Sequence, residues 1–474
     1  MFCGIMDILD MDARAQSAAM AAGEFGAAEL MEATLARIAG VNGRVNAVVA
    51  LRDADSLMAE ARAADAAPRK GWLHGIPMAV KDLANVAGLV TTSGSPLFER
   101  AVAPKDDLIV SRLRAAGALI IGKTNTPEFG LGSHTFNPVY GATRNPYDLT
   151  RSAGGSSGGA AAALATRMLG VADGSDMMGS LRNPAGWNNV YGMRPSWGTV
   201  PGDPDREMFL HQLSTLGPMA RNPADLSALL DTMTGADPMH PHGRDAADTL
   251  PGLFDPPGKM RIGWLGDWGG ALPFEAGLLA PSEAALRQLA DLGHAVEPAA
   301  PPFPADAMWD SWITLRSFSV ATGLADIYLN PGTRDALKEA ARWEIARGLG
   351  MDAMTVHRAS EVRSDWFRCA AGLFDTLDVL VLPSAQVWPF DVTLTHPTEI
   401  AGHEMDTYHR WMQVVIPASL IGLPVVNIPA GFGENGLPLG LQLIGPRGSD
   451  ARLLRLAQQW HAATDWPGTR PPVI

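Results

Sequence analysis

Residues 154–159 read "GGSSGG". Composition alone makes this a flexible spacer, because Gly and Ser strings carry little that can pack. The flanks argue otherwise. Upstream lies "NPYDLTRSA"; downstream lies "AAAALATRML", a stretch with high helix propensity. A Gly-rich turn that feeds a helix N-terminus aims several backbone N–H groups in one direction. The run is therefore expected to be ordered, which raises the question of what it holds.

The bulk numbers narrow the answer. A chain of 474 residues, 47% hydrophobic, can bury a large core. A formal net charge of −13 argues against a nucleic-acid partner, which wants basic patches. The two cysteines, Cys3 and Cys369, form no C-x-x-C or Cys/His cluster and read as reduced thiols. The opening "MFCGIMDILD" lacks a basic segment and is interrupted by Asp7 and Asp10, so it does not read as a signal peptide. No uncharged apolar run reaches 18 residues. The expectation is a cytoplasmic protein without a membrane partner.

Helix and strand patterns alternate at α/β spacing. Residues 7–39 and 53–66 read as helical. "LHGIPMAVKD" (73–82) is a turn and a short strand that ends on a lysine. "DLIVSRLRAAG" (107–117) is helical and "ALIIGKT" (118–124) a buried strand. Residues 136–160 are loop-rich. "TLGPMARNPADLSALLDTMTG" (215–235) reads as a turn and an amphipathic helix, "MRIGWLG" (260–266) as a strand, and 281–292 as a helix. Residues 301–370 are mostly helical, "LDVLVLPS" (377–384) is a strand, 423–446 a hairpin turning at Glu434-Asn435-Gly436, and 450–463 a closing helix.

Two motifs mislead. "GALIIGKT" (117–124) has phosphate-loop spacing, but Ala-Leu-Ile-Ile wants to be a strand and Pro127 follows where a helix should run. Lys123 is then a structural residue at a strand end. "GSSGG" (155–159) fits the nucleophile elbow with Ser157 as nucleophile, yet an elbow comes directly off a buried strand and "DLTRSA" is a poor one.

A third set of residues makes better sense together. Lys81 ends the strand "IPMAVK". It is either a surface lysine at a strand end or, if buried, a neutral amine able to act as a base. In "GSDMMGSLRNPAG" (174–186), Ser180 follows a tight turn whose preceding N–H groups can converge on an oxyanion.

These stretches, with "GIPMAVKDL", "GKTNTPEFG", "LGPMARNPADL" and "GLPVVNIPAGF", resemble the amidase signature family across about residues 73–464. The resemblance implies a single large α/β/α domain, with a central mixed sheet flanked by helices. Residues 1–70 would form a helical region packed on it. A core at about 73–235, a variable substrate-lining region at about 236–415 and closing elements at 416–464 complete the division. It also implies a Ser–cis-Ser–Lys triad: Lys81 the base, Ser156 the bridge after a cis Gly155–Ser156 peptide, Ser180 the nucleophile. The backbone of Met177, Met178, Gly179 and Ser180 would form the oxyanion hole. Gly130 and Ser157 match substrate-side positions, and Asp176 and Arg182 structural ones. No metal or organic cofactor is implied. The partner is a small-molecule amide, and a homodimer is in keeping with the family.

This sequence departs from the family pattern at Met177 and Met178, where a small polar residue and a glycine are usual. A Met at positive φ would be strained, so the loop is expected to keep negative φ there, with both side chains walling the pocket. Trp187, Trp197, Phe209, Trp309, Trp312 and Phe318 are candidates for an apolar cleft. The expected substrate is a hydrophobic or aryl amide, with ester or carbamate (urethane) cleavage beside it. Two other readings stay open: the glutaminase-type subunit of a tRNA-dependent amidotransferase, and an inert binding or scaffold protein on the same fold.

Overall fold

The computed structural model describes residues 5–203 and 207–474; Cys3 lies outside them. A small sheet takes strands β1 (Val48–Val49), β2 (Pro77–Lys81) and β3 (Leu119–Thr124), in the order β1-β3-β2. The main sheet has eight strands: β4 (Val171–Asp176), β5 (Tyr191–Arg194), β6 (Thr215–Ala220), β7 (Arg261–Trp264), β8 (Ala295–Pro298), β9 (Val379–Pro383), β10 (Val425–Phe432) and β11 (Pro438–Ile444). Their order is β8-β7-β9-β11-β10-β5-β6-β4. β7 runs parallel to β8 and β9, and the other neighbours are antiparallel, so the sheet is mixed. Helices flank it, giving the expected α/β architecture. Its central strands read as continuous apolar runs because both faces are covered: all residues of β9 and β11 are buried.

The helices that matter for the site are α1 (Ala27–Val45), α2 (Gly158–Ala165), α3 (Ala305–Leu329), α4 (Glu339–Leu349) and α5 (Ala353–Leu373). α2 is buried along its whole length, which its Ala-rich sequence permits. α3 packs on α4 and α5 and forms a helical wall beside the sheet.

Several sequence expectations need correcting. Residues 7–39 are not one helix: Ile5–Asp10, Ala13–Ala22 and α1 are separate, with Gly23 at φ 75° ending the second. The expected turn at 215–220 is strand β6, paired antiparallel with β4 (Gly217 opposite Gly174). Gly217 and Pro218 signal a turn, but here the glycine marks close approach, since a Cβ would run into Met193 O. β4 and β5 were not anticipated, because "VADGSD" and "YGMR" carry Gly and Asp in place of β-branched residues. "DLTRS" (148–152) is a strand after all, but it lies outside both sheets, pairing with Arg144–Asn145 in a ribbon and bridging to Asp391 through Arg151. "ALIIGKT" is β3, and Lys123 is buried in it, its ammonium donating to Ala84 O and to Thr91 Oγ1 at 3.0 Å. Cys369 carries a free thiol.

Candidate active site

Lys81 ends β2, which lies parallel to β3 and packs beside β4. Its backbone N–H donates to Asp173 Oδ1 of β4 at 3.1 Å, so the two strands are clipped together at the lysine. The side chain is 2% exposed. Its Nζ donates to Ser156 Oγ at 2.7 Å, Ser157 Oγ at 2.9 Å and Ser175 Oγ at 3.1 Å. Burial brings this ammonium down to about 7, against the opposing pull of Asp173 and Asp176. The same burial pushes Asp173 up to about 6.

The serine pair is held by its neighbours. The Gly155–Ser156 peptide is cis. Thr135 N–H donates to Gly154 O at 3.0 Å, Ser133 Oγ donates to Gly155 O, and Gly158 N–H donates to Thr135 Oγ1 at 3.1 Å. A side chain at Gly159 would collide with the Asn125 backbone N, so α2 can seat against the end of β3 only with glycine there. "GGSSGG" is thus a packed corner.

The loop after β4 carries Ser180. Asp176, at the strand end, is its organiser: Oδ1 accepts from Gly179 N–H at 3.0 Å and Oδ2 from Leu181 N–H at 3.1 Å. Arg182 grips the same carboxylate through Nη2 at 2.9 Å and Nε at 3.0 Å, and Arg194 through Nη1 at 3.2 Å. All three side chains are fully buried. Burial opposes the charge on Asp176, but the two guanidiniums win and hold it well below the usual carboxylate range. Arg182 also donates to Val415 O and Gln442 Oε1, tying the loop to the far side of the sheet.

Gly179 alone in this loop has positive φ, at 81°; Met177 and Met178 do not, so the two methionines need no strained backbone. A Cβ on Gly179 would press on Val415 Cγ1 at 2.9 Å. One expectation changes here. Gly179 N–H is taken by Asp176 and cannot serve an oxyanion in this conformation. Among the described residues, no hydrogen-bond partner is found for the N–H groups of Met177, Met178 and Ser180.

Ser156 and Ser180 line one cavity of about 280 Å³. Its apolar walls include Met177, Met178, Leu83, Phe129, Val320 and Met412, and Gly130 lies on its rim at φ 69°. Added bulk at Gly130 would meet Leu83 Cδ1 at 2.9 Å and then Ser156 Oγ at 3.6 Å. Ser157, expected on the substrate side, does not line this cavity; it is fully buried and its Oγ accepts from Lys81 Nζ, which places it beside the lysine.

The aromatic candidates do not form the cleft. Trp187 and Trp312 are buried in the core, and Trp187 stacks on Trp411. Trp309 is buried beneath the Arg410 guanidinium. Phe209 is 62% exposed, and Trp197 and Phe318 line other cavities. In their place the helical wall contributes Arg316 of α3. It donates to Glu344 Oε1 of α4 at 2.6 Å, to Tyr408 Oη at 2.8 Å and to Met177 Sδ at 3.4 Å. Sequence reasoning missed Arg316, Ser175 and Asp173. Ser175 alone had a local cue, sitting in the same stretch as Ser180.

The comparisons with known proteins give the family. The chain matches the Amidase family over residues 29–454. It is 33% identical to an acylamidase of Rhodococcus erythropolis over 97% of each chain. It is also 33% identical to a glutamyl-tRNA(Gln) amidotransferase subunit of Thioalkalivibrio sulfidiphilus, over 95% of this chain and 96% of that one. Among solved structures it superposes on a bacterial aryl acylamidase with a TM-score of 0.90 at 27% identity, covering 97% of this chain and 99% of the other. It superposes on 6-aminohexanoate cyclic dimer hydrolase with a TM-score of 0.88 at 28% identity, covering 98% and 99%. The chain belongs to the amidase signature family and is a hydrolase of amide carbon–nitrogen bonds.

Proposed function

We propose that this amidase works through an acyl-enzyme on Ser180, with Ser156 as bridge and Lys81 as base, on hydrophobic or aryl amides. The observation that carries the reading is the 2.7 Å contact from Lys81 Nζ to Ser156 Oγ, with Ser156 and Ser180 in one cavity. When the amine is neutral, this contact carries a proton from Ser156 to Lys81 while Ser156 takes one from Ser180. Ser180 Oγ then attacks the carbonyl, and the N–H groups of Met177, Met178 and Ser180 are the donors available to the oxyanion. The proton returns along the relay to the leaving nitrogen, and water releases the acid.

The apolar walls support the substrate class: Met177, Met178 and Met412 offer soft, adaptable surface to an acyl or aryl group. Activated esters and carbamates present the same carbonyl with an easier leaving group and are expected side substrates. The test is a fluorophosphonate probe followed by peptide mapping. Label on Ser180, lost in Lys81→Ala, and turnover of anilides above small polar amides are the expected results. No label and no hydrolysis would favour an inert scaffold.

A second reading has one observation in its favour, the equal identity to an amidotransferase component. It expects glutamine hydrolysis that rises when partner subunits are added. Full anilide turnover by the purified homodimer or monomer, without glutaminase activity, removes it.

A further inference from the structure

Lys81 does not line the cavity that holds Ser156 and Ser180. It lines a second cavity of about 260 Å³ on its other flank, together with Asp173, Ser175, Asp107, Asp203, His211 and His240. Leu83, Ser175 and Ser214 are common to both cavities, so they form the partition between front and rear. The front sets methionine and hydrocarbon walls around its serines, with Arg316 its one charged group among the described residues. The rear is lined by three carboxylates and two imidazoles, with the base in its wall.

We propose that Lys81 trades protons with solvent through this rear cavity while substrate fills the front one, and that Asp173 is the positioning residue on that route. This rests on the reading of Lys81 as base. The proton balance gives the route its use. Acylation consumes no net proton: the one taken from Ser180 Oγ goes to the leaving nitrogen as its C–N bond breaks. Deacylation adds water across the acyl ester, returning a hydrogen to Ser180 Oγ and releasing a carboxylic acid. At neutral pH that acid ionises, and the rear cavity offers its proton a way out that does not cross the place of the substrate in front. The relay Ser180–Ser156–Lys81 ends at the rear cavity, where the carboxylate of Asp173 meets the backbone N–H of Lys81 at 3.1 Å. The other charged or titratable groups near the pair are Asp176, beyond the lysine in β4, and Lys123, which faces Asp173 from β3. Asp107, Asp203, His211 and His240 line the remaining rear wall.

The experiment plugs the front and probes the rear. Ser180 is first blocked with a fluorophosphonate; the enzyme is then pulsed with cyanate at pH 8, and carbamylation of Lys81 is mapped by mass spectrometry. Gly202 lines the rear cavity, and a Cβ there would meet nothing within 4 Å among the described residues, so Gly202→Trp is the variant chosen to add bulk at that wall. The expected result is carbamylation in the blocked enzyme within about threefold of the free enzyme, slowed at least fivefold by Gly202→Trp. Protection by the front block, or no carbamylation in either form, overturns the proposal. Failure of Ser180 to take the probe strikes the proposed Ser180 acyl-enzyme instead. The rear route is then judged by Gly202→Trp in the unblocked enzyme, where unchanged carbamylation overturns it. For Asp173, the Asn variant keeps an acceptor for the Lys81 N–H but loses the charge. Its acidic limb of kcat/KM should move about one pH unit lower, since a nearby carboxylate favours the lysine's charged form. A lower plateau with an unmoved limb would reduce Asp173 to a strand clip.

Discussion

Two buried ion networks flank the same cavity and do different things. Beneath the nucleophile loop, one carboxylate, Asp176, is held by two arginines and accepts two backbone N–H groups. In the helical wall, one arginine, Arg316, is shared between a carboxylate and a phenol, Glu344 and Tyr408. The first network fixes a backbone path, in which the N–H groups of Met177, Met178 and Ser180 have no hydrogen-bond partner among the described residues. The second fixes side chains on separate helices and presents one guanidinium edge to the cavity. On the proposed mechanism, backbone placement should bear on the rate of the chemical step and wall placement on which substrates fit.

The sharpest way to test that division begins at the serines. Ser180→Ala should lower kcat by about 10⁵-fold, and Lys81→Ala by about 10³-fold or more, with little change in KM; initial rates on an anilide, with circular dichroism to check folding, decide it. Next is Asp176→Asn. It leaves Arg182 and Arg194 facing a neutral amide in a fully buried site, which should cost about 3–5 kcal/mol of stability. Urea unfolding measures this, and kcat should fall with it because Gly179 and Leu181 lose an anionic anchor. A stable variant with normal kcat would break the comparison at its first term.

How much of this was legible in the sequence divides along the same line. Lys81, Ser156 and Ser180 sit at a strand end and in two Gly-rich corners, where backbone chemistry limits the residue types and leaves a local pattern. Asp176 and Arg182 lie six apart in the second corner. The alternation of helix and strand gave most elements; it missed β1 and β8, and it failed at β4, β5 and β6, where Gly and Pro serve close approach between strands. Arg316 and Glu344 lie on α3 and α4 with no shared local pattern. Only packing brings them together, so nothing in either helix announced a cation at the cavity. The tryptophans misled for the opposite reason: large aromatic side chains in helices bury most area by filling the core.

Arg316→Met probes the second network. It leaves Glu344 buried with Tyr408 as its remaining donor, so stability should fall by about 3 kcal/mol. On anilides, KM should change by about tenfold while kcat stays within about threefold. A loss of kcat as large as that in Asp176→Asn would erase the distinction between the two networks. The pH profile then separates chemistry from fit. Lys81 must be neutral to accept a proton, and burial has brought it to about 7. Below that value kcat/KM should drop about tenfold per pH unit, and above it level off. Arg316→Met should leave the limb where it is.

The smallest expected effect lies where the two networks touch. Met177 Sδ accepts from Arg316 at 3.4 Å, and Met178 is 2% exposed beside it in the nucleophile loop. Gly179, not Met178, carries the positive φ, so glycine at 178 gains nothing from its freedom and removes only side-chain surface. Met178→Gly should therefore keep kcat on small amides within about threefold and weaken selection for aryl over small acyl groups by about tenfold, the scale of one or two buried methylenes. Competition between paired substrates reads that ratio directly. Unchanged activity and selectivity would mean that the methionine walls nothing. A large fall in kcat would mean that its bulk, and not Asp176 alone, sets the loop.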